Sequence, residues 1–265
     1  MKYFNNEFYM KFKNKLFLFI IFLIYIKTYI KPRFQYKLIY EINTDNIIPD
    51  IVISPGGRYG MYSLGICHYI KNNFDITNKK IIGFSSGSWN GLFMTMKKEY
   101  INDALKKAFR IKNENIPNIL KKTINVVQEY NINDFNIQNL YIGSTHFNKH
   151  IIHNNFITLD EVIRCCVSSS FIPFVTYNDL FYFYKNKLSF DGGFYYKNYI
   201  KTLPSTTLII SFRMFGRHKN LNIFTEKIKK NKPSAYQLYI KGYHDASKHH
   251  DYFAKYFNYS SSYSS

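Results

Sequence analysis

The chain has 265 residues, 46% of them hydrophobic, with only 12 Gly and 7 Pro. That suits one large domain with a short appendage and excludes a disordered or collagen-like chain. Lys and Arg number 36 against 17 Asp and Glu, a net charge of +19, which draws the protein toward anionic surfaces and says nothing of fold.

The first 45 residues form a basic and apolar appendage. Leu16 to Ile26 run without a charge, with Lys11, Lys13 and Lys15 before them and Lys27 and Lys31 after. Eleven helical residues rise about 16 Å, roughly half a hydrocarbon core. Extension to Ile30 requires Lys27 to snorkel. A small-residue cleavage site does not follow, so the run reads as an uncleaved signal anchor or interfacial segment, with a buried core element as the alternative. Membrane association through residues 16–30 is therefore expected, with the body of the protein cytoplasmic.

Residues 46–257 read as one domain and 258–265 as a polar tail. Ile51-Val52-Ile53 predicts a buried strand, broken by Ser54-Pro55-Gly56-Gly57, and Met61–Ile70 predicts a helix. Ile81-Ile82 is a second strand, Gly83 to Gly87 a tight turn, and Trp89–Met96 a helix. Helical spacing recurs over Ile101–Arg110 and Ile116–Val127. Leu140–Ile142 reads as a strand, and Thr158 to Glu161 as a capping box opening a helix to about Cys166. Phe181–Phe183 and Leu188–Phe190 read as paired strands, Leu208–Ile210 as a buried strand, and Ala235–Phe257 as one final helix. Strand, Gly turn, helix, repeated, predicts an α/β fold with a mainly parallel sheet. Sites in such sheets lie at the carboxyl ends of strands, where both Gly turns fall.

Three elements carry chemistry. Gly83-Phe84-Ser85-Ser86-Gly87 matches G-x-S-x-G, a sharp strand-to-helix turn that exposes a serine hydroxyl at a helix N-terminus; a tight turn without catalysis is the alternative. Gly56-Gly57-Arg58-Tyr59-Gly60 joins strand to helix, and its N–H groups can cradle an anion. Pro55 stands where a dinucleotide fingerprint needs its first Gly, and no Walker lysine follows. Beside a nucleophile elbow the loop reads as an oxyanion hole built from Gly56, Gly57, Arg58 and Gly60. Asp191-Gly192-Gly193 places a carboxylate at a strand end; a surface turn is its alternative.

In this order, ISPGGRYGMYSLGICHYI, IIGFSSGSWNG and SFDGGF resemble the patatin-like phospholipases. Cys166–Phe174 is similar to that family's Ser-rich segment before the catalytic Asp, and Gly242–Ala246 to its C-terminal helix entry. The resemblance covers about residues 48–250. It implies a three-layer α/β/α fold and fatty-acyl ester hydrolysis through a Ser–Asp dyad, with Ser85 as nucleophile and Asp191 as general base. Gly56 and Gly57 fall where the family's oxyanion-hole glycines sit. Pro55 departs from its first glycine and removes an N–H donor. Tyr59 stands where plant members carry Arg.

The expected substrate is a phospholipid or other acyl lipid at a membrane surface, with no cofactor and no metal ion. A Ser-His-Asp hydrolase is the first rival, with His218 or His244 completing a triad. The other histidines (His68, His146, His150, His153, His249 and His250) read as packing or surface residues. The second rival is a decayed scaffold that binds anions through Arg213, Arg217, Lys219, Lys227, Lys229, Lys230 and Lys232. With only six arginines among the 36 Lys and Arg of the chain, nucleic acid is an unfavoured partner.

Overall fold

The computed structural model describes residues 47–110, 116–146, 149–217 and 233–257. The appendage 1–45, the tail 258–265, His218 and the lysines from Lys219 to Lys232 lie outside them. Among the described residues no helix is long and apolar enough to cross a membrane.

The fold is α/β with a mixed, mostly parallel sheet and eight described α-helices. Strands β1 (Ile51–Ile53), β2 (Ile81–Phe84), β3 (Leu140–His146) and β7 (Leu208–Ile210) run parallel in the order β7-β1-β2-β3. Their side chains are buried almost throughout. That is why they read as continuous Ile and Val runs and not as alternating patterns. Ile51, Ile53, Ile81, Leu208 and Ile210 face one core layer, while Val52, Ile82, Phe84 and Tyr141 face another on the opposite side.

Helices α1 (Gly60–Asn73), α2 (Ser86–Thr95), α3 (Lys98–Phe109), α4 (Ile116–Val127) and α5 (Leu159–Ser169) match the predicted segments, each boundary displaced by three residues or fewer. Thr158 caps α5 by accepting from the Glu161 N–H at 3.2 Å. The reciprocal bond goes one residue earlier than a capping box requires, from the Ile157 N–H to Glu161 Oε2. Helix α6 (Gly193–Ile200) covers the Val52 and Phe84 side of the sheet.

The predicted final helix is two helices, α7 (Ala235–Ser247) and α8 (His250–Phe257). At the break the His249 N–H donates to the Ala246 carbonyl, and the His249 ring Nδ1 takes the Asp245 carbonyl that the next α-helical bond would have used. Gly242–Ala246 therefore lies in the C-terminal half of α7 and not at a helix entry. A Cβ on Gly242 would lie 2.0 Å from the Tyr62 carbonyl oxygen, so this glycine is what lets α7 cross against α1.

Strand β4 (Lys149–His153) runs antiparallel along β3, and the hairpin β5 (Tyr182–Tyr184) and β6 (Lys187–Phe190) makes the far edge. The arrangement around β3 positions the site. One edge of β3 is filled by β4 from Ile142 to His146. The other is shared: β2 pairs parallel with Leu140–Gly143, and β6 pairs antiparallel with Thr145 and His146. The carboxyl ends of β2 and β6 therefore point at one another along a single strand edge.

Candidate active site

Ser85 follows β2 and Asp191 follows β6, so the head-on strands bring them together. The Ser85 hydroxyl donates to Asp191 Oδ2 at 2.5 Å. Both residues are buried. Ser85 has φ 54° and ψ −126°, outside the regions that non-glycine residues favour, as expected of a strained elbow. The turn closes because its glycines carry no side chains. A Cβ on Gly83 would stand 2.3 Å from the Gly87 carbonyl oxygen, and one on Gly87 would stand 2.3 Å from the Ile53 carbonyl oxygen. Helix α2 begins at Ser86, so its positive N-terminal end faces the hydroxyl.

The Ser-rich segment at the end of α5 holds both halves of the pair. Ser169 Oγ accepts the Ser85 N–H at 2.8 Å and donates to the Gly143 carbonyl at 2.7 Å. The Gly192 N–H donates to the Ser169 carbonyl at 2.8 Å, and the Asp191 N–H to the Phe171 carbonyl at 2.9 Å. From β3, the Thr145 hydroxyl donates to the Asp191 carbonyl at 3.0 Å. Ser169 and Thr145 were not singled out from the sequence. Their spacing from Ser85 and Asp191 follows no local rule; only a guess of sheet register could have found them.

Asp191 Oδ1 accepts the Gly193 N–H at 2.7 Å. A Cβ on Gly193 would come 2.7 Å from that oxygen and 3.1 Å from Pro55 Cβ. The second glycine therefore makes room for the carboxylate and for Pro55 together. Burial pushes the Asp191 carboxyl up to about 6, against the opposing pull of its bonds from Ser85 and Gly193. Among the described residues no cation pairs with it. No imidazole stands between Ser85 and Asp191, and His244 is exposed on α7. His218 lies outside the described residues. His68 is buried and bonded to the Tyr239 hydroxyl; His146, His150 and His153 pack around β3 and β4.

The Gly-rich loop lies against the elbow but divides its amides. The Gly56 N–H donates to Ser86 Oγ at 2.9 Å. The Gly60 N–H turns back to the Gly57 and Arg58 carbonyls. The Gly56 N–H thus ties the loop to the elbow and the Gly60 N–H closes the loop's own turn, so neither amide is a free donor here. Gly57, with φ 51° and an exposed surface, and Arg58 keep N–H groups that have no partner among the described residues. The Arg58 guanidinium reaches away to the Pro233 carbonyl, 2.7 Å from Nη2. Asn90 Nδ2 donates to the Gly60 carbonyl at 2.9 Å, a second tie between loop and elbow.

Among the described residues no group of three or more His, Cys, Asp and Glu side chains is placed to hold a metal ion. The three cysteines are buried free thiols. No protein-family model matches the chain, and no curated protein matches it.

Proposed function

We propose that the protein is a serine acyl-ester hydrolase of the patatin-like phospholipase type, with the three-layer α/β/α fold of that family, and that it cleaves fatty-acyl esters of phospholipids or related lipids. The observation that carries this reading is the direct bond from the Ser85 hydroxyl to a buried carboxylate. An oxygen–oxygen separation of 2.5 Å is that of a charge-assisted hydrogen bond, and it needs no imidazole relay.

In the proposed reaction ionised Asp191 accepts the Ser85 proton as Ser85 Oγ attacks the ester carbonyl. The tetrahedral oxyanion is met by the N–H of Ser86 at the start of α2 and by those of Gly57 and Arg58. Losing one such donor typically costs about 10²–10³ in rate. Collapse breaks the ester C–O bond, and protonated Asp191 returns its proton to the leaving alcohol. Water then adds to the acyl-enzyme with Asp191 again as base, and the fatty acid leaves as Ser85 regains its hydrogen. Pro55 supplies no donor, but its ring packs on Gly193, so it contributes the wall beside the carboxylate.

The test is labelling by a fluorophosphonate probe together with fatty-acid release from phospholipid mixed micelles. Wild type is expected to do both and Ser85→Ala neither. A wild-type protein that is folded yet inert in both assays overturns the reading.

A further inference from the structure

The hairpin before Asp191 shows apolar side chains on both of its faces. On the inner face Tyr184 is buried, and Tyr182 packs against Phe171 and Tyr177 with ring centroids 5.6 and 6.3 Å apart. The register Phe183↔Leu188 puts these two on the outer face. One further step of the same register sets Phe181 beside Phe190 there. Phe181 is 50% exposed and Phe183 60%, and no aromatic ring contacts either among the described residues. Leu180 at the foot of β5 is 39% exposed, and Phe194, in the first turn of α6, is 60% exposed. An edge strand with an outward apolar face invites a partner.

The charges beside this face narrow the choice of partner. Between residues 172 and 201 the exposed ionic groups are Lys185, Lys187, Lys197 and Lys201 against Asp179 alone. Lys185 is neutralised by Glu161 at 2.6 Å. Lys187 pairs with Tyr184 and so falls on the inner face. Lys197 on α6 and Lys201 at its C-terminal cap follow Phe194 at i+3 and i+7, along one stripe. Phenylalanine flanked by lysine suits the boundary between acyl chains and anionic headgroups. Asp191 follows Phe190 at the end of β6, so the hairpin leads straight into the residue that bonds the Ser85 hydroxyl.

We propose that the outer face of the β5–β6 hairpin, with Leu180 and Phe194, docks on an anionic phospholipid surface and sets the rim of the Ser85–Asp191 site against it. The choice of lipid as partner rests on the hydrolase reading. Phe181 and Phe183 enter the interface, while Lys197 and Lys201 meet phosphate and carboxylate headgroups.

The test uses the full chain, so the readout must report the hairpin and not the N-terminal appendage. With a Phe183→Trp variant, vesicles of phosphatidylcholine and phosphatidylserine carrying brominated acyl chains are expected to quench the new indole at least about twofold more than that of a Tyr252→Trp control on α8. Salt, or omission of phosphatidylserine, should weaken the effect. A Phe181→Ser, Phe183→Ser double variant should lose roughly 10-fold in vesicle hydrolysis, yet keep wild-type turnover of soluble p-nitrophenyl butyrate and wild-type probe labelling. Equal quenching in the two tryptophan variants overturns the docking. So does a wild-type dimer that the double variant breaks in sedimentation, with no lipid quenching, because the face then belongs to a second copy. If ester and probe go unreacted while hairpin-specific quenching persists, the docking stands and the hydrolase reading falls.

Discussion

Two buried aspartates, Asp191 and Asp245, are 6% and 4% exposed, and their surroundings push them in opposite directions. Burial raises both. At Asp245 it is outweighed by Arg217, whose Nε and Nη2 donate at 2.9 and 3.2 Å, and by the Tyr62 hydroxyl at 2.8 Å, so the carboxyl is held below its ordinary value. At Asp191 two neutral donors leave it raised to about 6. Asp245 ties α7 to α1 and to the segment after β7. Asp191 is left under-compensated, which is the condition of a carboxylate that can take a proton near neutral pH.

The sharpest way to break this contrast is to neutralise each residue in turn. Asp191→Asn should lower kcat/KM by roughly 10³-fold or more. Its melting temperature at pH 7 should hold or rise, because a buried charge with an elevated pKa costs stability increasingly as pH climbs from the ordinary carboxylate range to about 6. A large loss of stability would mean that Asp191 is structural after all.

Ser169→Ala tests whether placement of the hydroxyl matters beside the carboxylate's state. It should lower kcat by about 10- to 100-fold, with little change in KM and in the pH at half-maximal rate. The pH profile of kcat/KM should itself rise about 10-fold from pH 5 to pH 7, following ionisation of Asp191. A flat profile across that window would remove Asp191 as the base.

Asp245→Asn should do the reverse of Asp191→Asn. The melting temperature should fall by roughly 5 °C, with activity per folded molecule within about twofold of wild type. The stability that Asp245 contributes is present above the ordinary carboxylate pKa and is lost as pH falls through its lower folded value. His244→Ala should leave turnover unchanged; a collapse would install a histidine triad in place of the dyad.

Much of this contrast was legible in the sequence, and unevenly so. The parallel strands were readable because burial on both faces leaves runs of Ile and Val. Ser85 and Asp191 were readable because a strained elbow and a crowded strand end both demand glycine neighbours. Strand β4 was not, since its Lys-His-Ile-Ile-His sequence hides two histidines whose partners lie in other segments, Phe84 and Tyr199 for His150 and Ser144 and Tyr184 for His153. The two-helix C-terminus was missed because a ring nitrogen competing for a main-chain carbonyl leaves no periodic trace. The sequence suggested four amides in the Gly-rich loop, but Ser86 takes one and the turn itself takes another. Asp245 was legible only as a charge, since its partners Tyr62 and Arg217 lie in other segments.

The shared edge of β3 makes that strand a ruler. Connections elsewhere can lengthen or shorten and leave hydroxyl and carboxylate in register, because neither is measured from them. A single residue inserted between Gly143, the last partner of β2, and Thr145, the first of β6, would slide one reacting group past the other and turn the following side chains to the opposite face. Changes of length should therefore be least tolerated over these three positions, although neither Ser85 nor Asp191 is among them.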